Sequence, residues 1–418
     1  MKGLNRGFRK SMAKHKVLYL AYDGMTDPLG QSQVLSYLKG LSKQNFSCHV
    51  VSFEKPEVYD LRKKVIHDFI RDFDVHWHPL TYHKSPPILS TVYDNYLAWQ
   101  KIKELYKEHD FAIVHCRGYT LTSLGLMAKK KYGSKFIFDM RGWWPDEKLE
   151  SGLWSSFIYK PIYAYFKAKE KKFFAKSDIA VSLTHVGKEA IVNLGLKQAE
   201  KVHVIPTCVN FEVFKPFSAE IREEQRKMWS IPSDAFVLLY SGSVGTNYRT
   251  DLVLKFFKKL KVKKSNVYLA FLSHSDHALI EAEIAKAGVP MEDCRIKFSE
   301  YKDVYKNLMV GDVGLIMYNL GFSVLGRSPT KLGEYWSSGL TCLSAQGIGD
   351  LESIVSAYPN SGVLIDSLED EDAYDRGIEE ILDLKVNKET LRAYAYDYFA
   401  LEEGVQGYLN IYHKLLEE

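Results

Sequence analysis

Short apolar runs alternate with longer amphipathic stretches along nearly the whole chain. The first run, Val17 to Ala21, is followed by a loop at Asp23 to Gly30 and a helical pattern over about 31–42. Further runs predict strands at His49–Phe53, Val75–His78, Phe111–His115, Phe136–Asp139, Ile179–Ser182 and Val202–Ile205, with helical stretches such as 90–107 and 159–176 between them. Uninterrupted apolar strands separated by helices are the signature of a parallel sheet covered on both faces. The pattern then restarts. Strands are predicted at Phe236–Tyr240, Val267–Leu272, Arg295–Phe298, Val313–Met317, Leu340–Leu343 and Gly362–Ile365, with a helix over 251–262.

Pro206, Pro216, Pro232 and the polar run 218–224 mark the junction, and from Asn387 onward the chain reads as helix alone. The expectation is an α/β protein of two Rossmann-like, doubly wound parallel sheets. A basic tail would cover 1–15, a first domain 16–212, a second 213–395 and a terminal helix 396–418. Open parallel sheets bind ligands at the carboxyl ends of their strands. Two that face each other direct the search to loops around a central cleft.

Composition narrows the class. Of 418 residues, 46% are hydrophobic and 26% charged, as in ordinary water-exposed globular domains. A net charge of +4 is too small to argue for nucleic acid. Cys48, Cys116, Cys208, Cys294 and Cys342 show no CxxC or ligand spacing, so free thiols in a reducing compartment are expected. The histidines form no HExxH, so no metal is expected. The basic start lacks the apolar core of a secretory signal, and no run of eighteen apolar residues occurs. A cytoplasmic protein, at most resting on the inner face of a membrane, is the expectation.

The sharpest chemical segment is SPTKLGEYWSSG, 328–339. Ser328 suits an N-cap and Pro329 the first helical position. A helix start offers free amides and a positive dipole end to a phosphate. Arg327 and Lys331 add cations there, and Glu334 sits one turn on, where it can accept from a ribose. A capped helix with a Lys–Glu pair would look the same. After the first strand, DPLGQSQ at 27–33 brings Gly30 and Gln31, which allow a close approach by a ligand but equally make an ordinary turn. After another strand, FDMRGWWPDE at 138–147 carries Asp139, Arg141, Trp143, Trp144, Asp146 and Glu147. Tryptophans stack on sugars and arginine grips anions in bidentate fashion; a packed tryptophan pair with salt-bridged charges is the plainer reading. His115 and Arg117 follow a further strand. The stretch 157–176 mixes aromatics with lysines, which fits an anionic membrane surface or a core helix with a solvated lysine face.

The segment 328–339 resembles the donor-binding motif of the group 1 glycosyltransferases, family 4, which have the two-domain GT-B fold. Three other stretches agree in order. VIPTCVNFEVFKP, 204–216, is similar to the family's interdomain signature, with Thr207 and Cys208 where Asn and Gly are usual. VLLYSGSVGTNYR, 237–249, is similar to the strand and glycine loop that open the donor domain. Tyr398 to Leu416 resembles terminal helices that cross back to the first domain. Two departures stand out. Ser243 replaces the first of two basic residues, leaving Arg249 as the second, and Gly326 replaces the first of an acidic pair, leaving Glu334.

The resemblance implies transfer of a sugar from a nucleotide diphosphate sugar to a hydroxyl, without cofactor or metal and with retention. Products in the family include polysaccharide, lipopolysaccharide and glycolipid. It places the donor nucleotide on Gly242, Arg249, Arg327, Ser328, Thr330, Lys331 and Glu334. It places the acceptor and the cleft on Gly30, Gln31, His115, Arg117, Asp139, Trp143 and Trp144. Arg141 is the catalytic candidate, since many relatives carry histidine near that position; no general base is evident. The expected partners are a nucleotide-sugar donor and a glycan or lipid-linked acceptor, with membrane contact through 157–176 and no nucleic acid. Two other readings remain open: a nucleotide-sugar epimerase of the same fold, for which no acid–base set is evident, and a non-enzymatic membrane-surface or partner-binding protein with a degenerate donor site.

Overall fold

Two parallel sheets organise the chain. The computed structural model describes residues 14–245 and 248–417, so the expected basic tail lies outside the described residues except for Lys14 and His15, and His15 already opens the first strand. The first half runs β1 (His15–Ala21), α1 (Pro28–Gly30), a π-helical turn (Gln31–Leu35), α2 (Ser36–Ser42), β2 (Phe46–Glu54), α3 (Pro56–Ile70), β3 (Val75–Thr81), α4 (Leu89–Glu108) and β4 (Ile113–Arg117). It continues through α5 (Thr122–Tyr132), β5 (Lys135–Asp139), α6 (Trp144–Glu150), α7 (Lys160–Lys176), β6 (Ile179–Ser182), α8 (His185–Asn193) and β7 (Val202–Val204). Its seven strands lie in the order β3-β2-β1-β4-β5-β6-β7.

The second half runs α9 (Ala219–Met228), β8 (Phe236–Ser241), α10 (Thr250–Lys263), β9 (Val267–Leu272), α11 (His277–Lys286), β10 (Cys294–Lys297), α12 (Val304–Leu308) and β11 (Val313–Ile316). Then come α13 (Thr330–Ser337), β12 (Thr341–Ala345), α14 (Leu351–Ala357), β13 (Gly362–Ile365), α15 (Glu371–Asp383), α16 (Lys388–Phe399) and α17 (Leu401–Glu417). Six parallel strands are ordered β10-β9-β8-β11-β12-β13. Both orders reverse direction beside the first strand of the sheet, the topological switch point that opens a crevice at the carboxyl edge.

Burial explains the strand pattern. Every residue of β2 is buried, because helices cover both sheet faces. On one face, β1 and β2 pack with α2 and α17; on the other, α4, α5 and α7 share a core that includes Ile102, Leu124 and Phe173. Helix α17 buries Val405, Tyr408, Leu409, Tyr412 and Leu415, an i, i+3, i+4 stripe that faces the first sheet. Helix α16 instead packs on α13 in the second half. The chain therefore crosses between halves at Ala400, where Val209 N donates to Phe399 O and Leu401 N donates to Val209 O.

The structure corrects several sequence expectations. The polar run 218–224, expected to mark the junction, opens α9, capped by Ser218, whose Oγ accepts from Ile221 N. Arg222 and Arg226 on that helix reach the carbonyls of Met309, Val310 and Gly311 and the carboxylate of Asp312. The helix expected over 31–42 begins as a π turn. Stretch 157–176 divides along its length: Phe173 and Phe174 are core residues, whereas Phe157, Ile158 and Tyr165 stand in solvent.

Trp336 on α13 is fully buried, and its Nε1 donates to Ser361 O at 2.9 Å. Replacing it with alanine opens a cavity and removes one donor from that carbonyl, which Thr341 Oγ1 and Cys342 N still bond. Trp336→Ala is expected to lower unfolding free energy by about 3–5 kcal/mol, read from the urea midpoint; a midpoint within error of wild type would contradict this packing.

Candidate functional site

Helix α13 is fixed against the carboxyl ends of β8 and β11. Tyr335 Oη accepts from Ser241 N at 3.1 Å and donates to Leu315 O at 3.2 Å. This anchoring aims the start of α13, and with it Lys331, at the loop after β8. Gly242 turns that loop with φ 122°, and a Cβ there would lie 2.8 Å from Lys331 Nζ. Glycine is required on both counts.

Lys331 is 8% exposed and its Nζ has no hydrogen-bond partner. The ammonium lies 4.5 Å from the ring centre of Tyr240, 4.3 Å from Tyr248 and 5.7 Å from Tyr318. Aromatic faces attract a cation, but they do not satisfy its N–H donors. Burial pushes the ammonium down to about 7, against the pull of Glu334. Burial likewise pushes the Glu334 carboxyl up to about 7, against Lys331. The first amides of α13 add donors without intrahelical acceptors. A desolvated cation, a helix start and a glycine loop thus converge on one spot, as anion recognition requires.

The helix start differs in detail from expectation. Thr330, not Pro329, is the first helical residue, and Pro329 occupies the cap. Ser328 does not cap. Its Oγ accepts from Thr207 N at 3.2 Å, and Thr207 Oγ1 donates to Ser328 O at 2.9 Å. The hydroxyl is used to tie α13 to the connection between the halves.

The two halves touch along the segment before α13. Ser323 N donates to Glu150, and Thr184 Oγ1 donates to Leu325 O at 2.5 Å. Asp350 accepts from His185 N at 2.7 Å and Val186 N at 3.0 Å, capping α8 from the opposite half. A Cβ at Gly326 would lie 3.0 Å from Trp143 Cδ1 and 3.2 Å from Gly142 Cα. The missing acidic residue at 326 therefore has a steric reason: two loops meet there at backbone distance. Arg327 does not stand ready for a phosphate. It pairs with Glu147 of the first half at 3.0 Å and lies over the Tyr318 ring. Arg249 is likewise committed, to Asp251 at 2.7 Å, and is absent from the charges acting on Lys331.

In the first half, Arg141 takes φ 57°, an uncommon conformation for a side-chain-bearing residue. Its Nη1 lies 3.8 Å from Asp139 Oδ2, its Nη2 3.5 Å from Gln33 Oε1, and its Nε has no partner. Gln33, on the π turn, donates to Cys208 O at 3.0 Å. A path of polar contacts thus runs from Arg141 through Gln33 and residues 207–208 to Ser328.

Asp139, His115 and Arg117 form a buried cluster beside Arg141, in which Asp139 Oδ1, His115 Nε2 and Arg117 Nη1 have no hydrogen-bond partner. Tyr408 Oη donates to Asp139 at 2.8 Å, Tyr412 Oη meets His115 Nδ1 at 2.8 Å, and Arg117 pairs with Asp23 at 3.1 Å. Burial works against the Asp139 anion, but Arg141, His115 and Arg117 hold its carboxyl below the ordinary range. Burial also lowers His115. These groups support Arg141 rather than face an acceptor, which corrects the expectation of a cleft lining.

The tryptophans need the same correction. Trp143 is fully buried against Phe322 and Phe174, with no face open to a sugar. Trp144 packs on Trp154 and Phe166. Asp146 accepts from Tyr163 and Lys167 and serves the fold. Gly30 is buried, and a Cβ there would lie 2.1 Å from Gly24 O, so it brings α1 onto the loop after β1; Gln31 beside it is half-buried.

Comparison with known proteins agrees with the fold. Residues 30–213 match the family model described as Glycosyltransferase Family 4. That stretch of the chain is similar to a family 4 glycosyltransferase domain. The whole enzyme has the GT-B fold. It is similar to a glycosyltransferase from Rickettsia africae, at 15% identity and TM-score 0.68, with 97% of this chain and 100% of the other covered. It is similar to HepE from Anabaena, solved with UDP and glucose, at 12% identity and TM-score 0.68, covering 95% and 99%. It is also similar to the lipopolysaccharide outer core galactosyltransferase WaaB, at 14% identity and TM-score 0.63, covering 96% and 99%. No curated protein matches the sequence.

Sequence reasoning on the transferase missed the tyrosines 240, 248 and 318, Gln33 and Glu54. Glu54 accepts from Met25 N, Thr26 N and Thr26 Oγ1, which holds the loop leading to Gly30. The one available signal was a carboxylate closing an otherwise apolar strand. Among the described residues, no group of three or more His, Cys, Asp and Glu is arranged to hold a metal ion.

The charge on Lys331 sets a pH dependence. Its ammonium is retained below about pH 7 and lost above it, while Glu334 gains negative charge over the same range. Affinity for a nucleoside diphosphate should therefore fall by about tenfold or more between pH 6 and pH 9, relative to Lys331→Met. Parallel pH profiles by titration calorimetry would contradict the assignment.

Proposed function

We propose that the protein transfers a glycosyl group from a nucleoside diphosphate sugar to a hydroxyl acceptor, with retention, in synthesis of a cell-surface glycan or glycolipid. The observation that carries this reading is Lys331: a buried ammonium without an acceptor, at a helix start, beside a glycine loop. A leaving diphosphate supplies the missing acceptors, and Lys331 with the α13 amides of Thr330 and its neighbours stabilises the charge that develops on it. Glu334, one turn along, accepts from the ribose. Gly242 lets the backbone approach the phosphates, while Arg327 and Arg249 are each held by a carboxylate partner.

Arg141, which follows β5 at the carboxyl edge of the first sheet, steadies the reacting edge of the donor. Contact between the halves along 321–327 excludes water, which limits donor hydrolysis. HepE, solved with UDP and glucose, makes a uridine nucleotide the first probe of the donor, and WaaB, a lipopolysaccharide galactosyltransferase, supports a cell-surface product. The acceptor is a glycan or lipid-linked glycan, reached with the protein at the cytoplasmic face of a membrane through 157–176. No helix among the described residues is long and apolar enough to cross a membrane.

Lys331→Ala and Glu334→Ala should each weaken UDP binding by about ten- to a hundredfold while circular dichroism is retained. Wild-type affinity in both would remove these residues from the site. Arg141→Ala should lower kcat by about tenfold or more with UDP affinity unchanged; unchanged turnover would sink its role. Mass spectrometry of products with and without an acceptor separates transfer from epimerisation.

A further inference from the structure

Helices α4, α5 and α7 lie side by side on one face of the first sheet, and α4 and α7 begin at its carboxyl edge, the edge that bears the cleft. On the first two turns of α4, Leu89, Val92, Tyr93 and Tyr96 are each at least half exposed, as is Ile88 before them. Their i, i+3, i+4, i+7 spacing makes a continuous apolar stripe turned to solvent rather than to the core. At the start of α7, Phe157 is 76% exposed, with Ile158, Leu153 and Tyr165 beside it.

The unpaired charges around these two patches are basic; the accessible carboxylates, Asp23 and Glu147, are paired with Arg117 and Arg327. Asp94, the carboxylate on the exposed end of α4, is fully buried and bonded by Tyr22 and His83, which leaves Lys84 as the exposed charge. In α7, Glu170 is buried and paired with Lys167, while Lys160, Lys171 and Lys172 are exposed. On α6, Asp146 is buried and Glu150 is bonded to Ser323. The turn before α5 and its first two turns, residues 118–128, carry no charge at all. An ordinary solvated face mixes both signs, as α3 does around its exposed Leu61 and Val65 with Asp60, Arg62, Lys63 and Asp68.

We infer that the rim formed by the start of α4 and residues 153–172 docks on a bilayer containing anionic lipids, with α4 supplying half of the contact. Exposed aromatic and branched side chains enter the acyl boundary, and the lysines meet the headgroup charge. This rests on the membrane-side reading above and extends it to a second element, which orients the cleft edge towards the bilayer where a lipid-linked acceptor is found.

The test uses the full chain and sedimentation with vesicles of phosphatidylcholine, with and without phosphatidylglycerol. Wild type should bind the anionic vesicles about tenfold or more tighter than the neutral ones. The pairs Leu89→Asp with Val92→Asp, and Phe157→Asp with Ile158→Asp, should each weaken that binding by about tenfold or more. The pair Leu61→Asp with Val65→Asp should leave it unchanged. UDP affinity should be the same in all, which separates failure of docking from failure of the donor site. Absence of vesicle binding, retention of binding in the α4 pair, or equal loss in the α3 pair overturns the proposal. So does a dimer in size-exclusion chromatography that the α4 and α7 pairs dissolve.

Discussion

A positive charge buried without an acceptor is expensive, and Lys331 is such a charge. Its stem is held by the packing of α13, and its head by the faces of three tyrosines that attract it without satisfying it. The rest of the architecture serves to keep it there. Tyr335 ties α13 to two strands, Trp336 locks the same helix against Ser361, and α16 packs along it before the chain crosses to the first half. An incoming anion would complete the coordination that the fold leaves open, so the structural cost is recovered when a ligand binds.

The second constraint is the meeting of the halves before α13. Carboxylates on each side accept backbone amides of the other: Glu150 those of Ser323, Asp350 those of His185 and Val186. Charge-assisted bonds of this kind are strong and directional. They bring Gly326 against Gly142 and Trp143, where a side chain would crowd both. The same contact commits Arg327 to Glu147. What looks in the sequence like a damaged motif is a close contact between two loops, and Lys331 is left as the unpaired cation of that motif.

The sheets were legible because their strands are buried on both faces, which writes continuous apolar runs into the chain. Ile179–Ser182, Val267–Leu272 and Gly362–Ile365 match the structure end to end. Lys331 and Glu334 were legible from their place at a helix start. Side-chain direction in loops was not. Trp143 and Trp144 sit in a segment that suits sugar stacking, yet both rings pack into aromatic clusters, Trp143 on Phe322 and Trp144 on Phe166. His115 and Asp139 follow strands as site residues do, but α17 covers them with Tyr408 and Tyr412 from almost three hundred residues away. Local pattern carries no information about such a distant partner. Tyr240 lies near the end of β8, Tyr248 in the loop that follows it and Tyr318 after β11, so the fold is needed to bring them together around Lys331.

The account stands on Lys331 as the seat of an anion. A crystal structure of the protein with UDP tests it most directly. Diphosphate oxygens within hydrogen-bonding distance of Lys331 Nζ and the first amides of α13 are the predicted result. UDP bound elsewhere, or with the ammonium still enclosed by Tyr240, Tyr248 and Tyr318 and out of reach of the phosphates, would contradict it.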